Sequence, residues 1–126
     1  MAFPAGRAAS VLFALAACSC AGPSLHGQPG LQHEVISFYN ARAMERGATC
    51  PNPEMQSITS SQIARDEGQT VVMDIRYYWV DWSQAVDING GNVTTCRDWN
   101  DRTFTFARDS AGKLQVVAMT GAQKSG

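Results

Sequence analysis

Long apolar runs, histidines and any excess of one charge are what this sequence of 126 residues has least of. Beyond residue 20 no apolar stretch approaches the roughly 20 residues that span a bilayer, which excludes a membrane-crossing helix there. The 10 Lys and Arg against 11 Asp and Glu provide no cationic field to condense on phosphates, so nucleic-acid binding lacks electrostatic support. Two histidines without a surrounding cluster of Cys, Asp or Glu argue against a transition-metal site. Internal repeats and charge blocks are also missing, and the length allows one domain. Neither an acid/base pair, a nucleophile constellation nor a cofactor loop can be assembled, so no catalytic residue, cofactor or metal ligand is assigned.

The first 21 residues read as a targeting segment. Residues 1–7 form a short start with one positive charge at Arg7, and residues 8–17 (AASVLFALAA) are apolar. Ten residues rise only about 15 Å as a helix, half a bilayer, which suits a signal peptide rather than an anchor. Leu15-Ala16-Ala17-Cys18 resembles the lipobox of bacterial lipoproteins, which implies cleavage before Cys18 and its lipidation. The competing site is ordinary cleavage after Ser19-Cys20-Ala21, which removes both Cys18 and Cys20. Residues 22–30 (GPSLHGQPG) carry Gly and Pro without periodicity and read as a flexible tether.

A single α+β domain is expected over residues 31–121. Leu31, Val35, Phe38 and Tyr39 recur at helical spacing, with Ile36 and Ala43 widening the stripe, and Gly47 is placed as the C-cap. Strands are expected at residues 55–65, 70–81, 98–108 and 113–120, separated by the turns Asp66-Glu67-Gly68-Gln69 and Asp109-Ser110-Ala111-Gly112. In the second strand, Val71, Met73, Ile75, Tyr77 and Trp79 form a continuous apolar face, opposite Val72, Asp74, Arg76, Tyr78 and Val80. Residues 82–96, centred on Asn89-Gly90-Gly91-Asn92, are either a loose loop or a hairpin. The expectation is one N-terminal amphipathic helix packed on a four-stranded antiparallel sheet.

Cys50 and Cys96 flank the β region and are expected to form a disulfide. Closing a loop of about 47 residues stabilises by roughly 4 kcal/mol in the chain-entropy treatment. With His26 in the tether and His33 on the helix, neither cysteine has an evident base. Asp87-Ile88-Asn89-Gly90-Gly91 begins like a calcium loop but puts Gly91 where a ligand belongs, so a hairpin loop is the reading adopted. Asp74, Arg76 and Tyr78 share a strand face and, with Arg102 of the third strand, form the candidate ligand surface. A solvated face with screened ion pairs is the competing reading. Trp79, Trp82 and Trp99 fall near strand ends and serve either as buried anchors or as a contact rim.

A helix followed by a β-meander ending in TFTFARDSAGKLQVVAM resembles the latter part of NTF2-like α+β domains, over roughly residues 31–120. The segments Arg76-Tyr77-Tyr78 and Cys96-Arg97…Arg102-Thr103-Phe104 are similar to those of short exported bacterial proteins of unassigned function. These resemblances imply an exported protein, periplasmic or anchored to the envelope through lipidated Cys18. The expected function is non-enzymatic binding of an envelope protein or a small ligand. An NTF2-like pocket using Tyr77 or Tyr78 with Asp74, and an inhibitor-like module presenting the 82–95 loop, are the alternatives.

Overall fold

The computed structural model describes residues 24–125. The expected leader, with Cys18 and both cleavage sites, lies outside the described residues. The chain forms α1 (Leu31–Arg42), β1 (Glu54–Asp66), β2 (Thr70–Val80), β3 (Val86–Ile88), β4 (Gly91–Val93), β5 (Arg97–Arg108) and β6 (Leu114–Met119). The fold is α+β: one helix lies against a four-stranded antiparallel sheet of order β1-β2-β5-β6, and β3 and β4 form a separate two-stranded ribbon. Among the described residues no helix is long and apolar enough to cross a membrane.

Period-two alternation sorts β2 cleanly. Val71, Met73, Ile75, Tyr77 and Trp79 are buried against the helix, while Asp74 and Arg76 face solvent between Val72 and Val80. Phe104 and Phe106 of β5, Leu114 and Met119 of β6 and Met55 of β1 complete the sheet's side of the core. The helix supplies Leu31, Val35 and Tyr39, spaced four residues apart so that they fall on one stripe. Each large apolar side chain so buried contributes roughly 1.5–3 kcal/mol, so the five on β2 outweigh the three on α1. β1 is an edge strand with three register shifts, between Met55 and Ser57, Ile58 and Ser60, and Ile63 and Arg65. Bulges of this kind raise the local twist and make an edge a poor template for pairing.

Three boundaries differ from the sequence expectation. The helix stops at Arg42 rather than running on to Gly47. Ala43 turns extended and pairs with Gln123, Met44 N–H donates to Ala122 O (3.0 Å), and Lys124 N–H donates to Arg42 O (2.7 Å). These bonds replace the next helical turn, and they extend the packed chain past residue 121. Gly47 instead sits, at φ 67°, in the turn between Glu45 and Cys50. The third difference concerns the tether. From Leu25 to Gly30 the chain is held: Leu25 is buried, Leu25 and Gln28 exchange backbone hydrogen bonds, and Gln28 bonds Gly112 O and Leu114 N through its side chain. One buried leucine and one bidentate amide are enough to pin a segment whose composition reads as loose.

Cys50 and Cys96 form a disulfide with Cα atoms 5.8 Å apart. It ties the turn after α1 to the start of β5. An oxidised pair of this kind suits an exported protein.

Candidate functional site

A buried polar cluster lies where α1, β2 and β5 meet. When the chain leaves the helix at Ala43, Glu45 turns inward and is 3 % exposed. Its Oε2 accepts from the hydroxyls of Tyr39 (2.6 Å) and Tyr77, and its Oε1 from Asn100 Nδ2 (2.7 Å). Arg102 is equally buried and uses all five of its N–H donors. Nε donates to Tyr77 Oη (2.7 Å), Nη1 to the carbonyls of Thr120 (2.8 Å) and Ala122 (3.0 Å), and Nη2 to Met44 O (2.6 Å) and Glu45 Oε2 (3.3 Å). A buried ion pair is tolerable only when its remaining lone pairs and protons are met in this way. Burial, followed by donation to Glu45, pushes both tyrosine hydroxyls above their ordinary value, with Arg102 opposing. Neither hydroxyl can act as a base near neutral pH, and the cluster closes on itself as a clasp.

Gly121 makes the clasp possible. Its φ is 94°, and a Cβ built there would stand 2.7 Å from Arg102 Nη1. Only glycine lets the backbone pass so close to the guanidinium in this conformation.

The candidate ligand surface divides between the two faces of the sheet. Asp74, Arg76 and Tyr78 lie together on the outer face, but Arg102 pairs in register with Ile75 and belongs to the inner one. Alternation explains the separation: Arg102 has the parity of Phe104 and Phe106, and its paired opposite on β2 is a core residue. Tyr77 is likewise on the face away from Asp74, so those two do not line one site.

On the outer face, cross-strand pairs form three successive rows: Tyr78 with Trp99, Arg76 with Asp101, and Asp74 with Thr103. The rings of Tyr78 and Trp99 are 4.7 Å apart and tilted by 54°. Arg76 Nη1 is 2.9 Å from Asp101 Oδ2, and Thr103 Oγ1 donates to Asp74 Oδ1 (2.8 Å). Ser60, Ser61 and Gln62 of β1 rise beside Asp74, Arg76 and Asp101 to enclose a groove of about 430 Å³.

A third surface is built by residues 81–96. Asp81 is fully buried and accepts from Asn52 N (2.9 Å), Ser83 N (2.9 Å) and Ser83 Oγ, while Thr94 Oγ1 donates to Asp81 O (3.1 Å). Together with Cys96 these bonds form the base of the β3–β4 hairpin. Asn89 and Gly90, at φ 53° and 84°, make its turn, since a two-residue connection that follows the right-handed twist of its strands needs positive φ at both positions. Val86 pairs with Val93, and Ile88 lies two residues along the same strand, so all three share one face. They are 57 %, 44 % and 52 % exposed, and Trp82 at the hairpin's base is half exposed. Of the three tryptophans, then, Trp79 is a core anchor, whereas Trp82 and Trp99 lie at the surface.

No protein-family model matches this chain, and comparison with curated proteins and with solved structures yields no match. Function is therefore argued from the surfaces alone. Among the described residues no group of three His, Cys, Asp or Glu side chains is gathered as a metal would require. Sequence reasoning missed Glu45, Tyr39 as a hydrogen-bond donor, Gly121 and Asp81. For Glu45 no local signal exists, since its burial depends on the chain leaving the helix early. For Arg102 the alternation with Phe104 and Phe106 was available.

Proposed function

We propose that this chain is a non-enzymatic binding domain of the cell envelope, exported and either periplasmic or anchored through a lipidated Cys18. Its contact with a protein partner is made by the β3–β4 hairpin. One observation carries this reading: Val86, Ile88 and Val93 share one face of a hairpin, each about half exposed, on a base fixed by Asp81, Thr94 and the disulfide. Exposed apolar side chains gathered on one face are characteristic of contact sites, whereas singly scattered ones need no explanation. A fixed base lowers the ordering cost on binding, because the contact residues are already in place.

The test is affinity capture from envelope extracts with the wild-type chain and with a Val86→Ser, Ile88→Ser, Val93→Ser variant. The substituted side chains lie outside the core cluster, so the variant should retain its fold by near-ultraviolet circular dichroism. A partner retained by the wild type and lost by the variant is the expected result. Equal capture by both would refute the hairpin as the contact. Intact mass of the native protein tests the anchor: a chain beginning at Cys18 with added acyl mass supports it, and a chain beginning at Gly22 excludes it.

A further inference from the structure

We propose that the outer face of the sheet is a binding site for a neutral oligosaccharide, a site separate from the hairpin. The three rows on this face carry what a sugar chain needs, in order. Tyr78 and Trp99 present aromatic surface, with Trp99 52 % exposed. The next row is Arg76 and Asp101, and the one after it Asp74 and Thr103, with Ser60 and Gln62 across the groove. Successive rows on one face of a strand are about 6.8 Å apart, so the three rows together extend over roughly 14 Å, enough to meet more than one sugar ring.

A pyranose has one apolar face of C–H groups and an equatorial belt of hydroxyls. Aromatic rings take the first by stacking, as they do the faces of nucleic-acid bases. Carboxylates, guanidinium and amide take the second. The groove's own hydrogen bonds leave that capacity available. The ion pair uses Arg76 Nη1 and Asp101 Oδ2, and Thr103 uses Asp74 Oδ1. Among the described residues, Arg76 Nη2, Asp101 Oδ1 and Asp74 Oδ2 make no hydrogen bond, so residues that line the groove keep both donor and acceptor capacity.

Charge selects the ligand class further. Within the groove two carboxylates stand beside one guanidinium, which disfavours a phosphate, sulfate or carboxylate there, while Arg97, on the same face opposite Val80, lies outside the groove. An apolar ligand would strip water from the ion pair without replacing its hydrogen bonds. A neutral polyhydroxylated chain meets neither obstacle. This inference does not rest on the hairpin contact, and it uses none of the hairpin's residues.

The experiment is a titration of the isotope-labelled protein, followed by NMR, with chitotetraose, cellotetraose, mannotetraose and inorganic phosphate. Millimolar concentrations of at least one tetrasaccharide should shift the Trp99 indole resonance and the amides of residues 74–78 and 99–103. Phosphate should not. Trp99→Ala should weaken that binding about tenfold, Trp99→Phe should restore part of it, and Arg76→Gln should weaken it while shifting, in the free protein, only resonances near Asp101 and its neighbours. The hairpin triple variant should bind sugar as the wild type does. Failure of all three tetrasaccharides to bind, binding that Trp99→Ala leaves intact, or tighter binding of phosphate than of any sugar would each overturn the proposal. None of these results would affect the capture experiment on the hairpin.

Discussion

Replacing Arg102 by Met tests the buried clasp most directly. Methionine matches the length of the aliphatic stem but carries none of the five donors. The substitution strands the carboxylate of Glu45 in the core, with Tyr39, Tyr77 and Asn100 still donating to it. It also removes the donors to Met44 O, Thr120 O and Ala122 O. Removing one partner of a buried ion pair costs about 3–5 kcal/mol. A domain of this size is stable by only about 5–15 kcal/mol, so the variant should lie near the edge of folding. Urea unfolding of the oxidised protein, followed by tryptophan fluorescence, should show the midpoint falling by roughly 1–3 M at an unchanged slope. The exposed pair Arg65–Glu67 is the control, since its side chains are 63 % and 60 % exposed. Arg65→Met should cost less than about 1 kcal/mol. Adding Glu45→Gln to Arg102→Met removes the stranded charge, so the double variant should be more stable than the sum of the single effects predicts. A loss below about 1 kcal/mol for Arg102→Met, or strict additivity in the double variant, would refute the claim that the ion pair and its carbonyl acceptors act as one unit.

Gly121→Ala should destabilise by about 1–3 kcal/mol through its positive φ and further through collision with Arg102. Gly112→Ala, at φ 85° with open space around it, should show the backbone cost alone, and equal losses for the two in urea unfolding would exclude the collision. Removing the disulfide with Cys50→Ala and Cys96→Ala should cost roughly 4 kcal/mol from loop closure across a separation of 46 residues, measured as the shift in thermal or urea unfolding. Tyr39 and Tyr77 have hydroxyls raised above the ordinary value of 10.0, so the folded state favours their neutral forms. That contribution is complete below pH 10 and is lost as pH rises beyond it, so tyrosinate absorbance from these two should appear only with alkaline unfolding. A reversible titration of either near pH 10 in the folded protein would contradict the buried placement.

The strands were legible because alternation in β2 is strict and Gly-containing turns bound each run. The disulfide was legible because Cys50 and Cys96 flank the β region. The helix end was not, because Gly47 offers a good local stop while the actual stop is set by residues 122–124, nearly eighty positions away. The contacts made by residues 22–30, read as a tether, were hidden for a similar reason: Gln28 bonds Gly112 and Leu114, which no window around residue 28 contains. On the sheet's outer face, Asp74, Arg76 and Tyr78 could be grouped from one strand. Their partners Thr103, Asp101 and Trp99 depended on the register, which a sequence without a tight hairpin between β2 and β5 leaves open. Arg102 was drawn to the wrong face by its charge, although its spacing from Phe104 put it on the inner one.

The separation of β3 and β4 from the main sheet has a consequence for variation. All six residues of the two short strands are exposed, and among the described residues the two strands pair only with each other. Cys96, Asp81 and Thr94 close the chain beneath them. The tip can therefore be lengthened, shortened or rewritten while the core that supports it continues to fold as before. Substitutions between residues 86 and 93 should therefore leave the unfolding transition of the clasp and the disulfide-linked core unchanged, and that stretch is where a foreign sequence could be grafted.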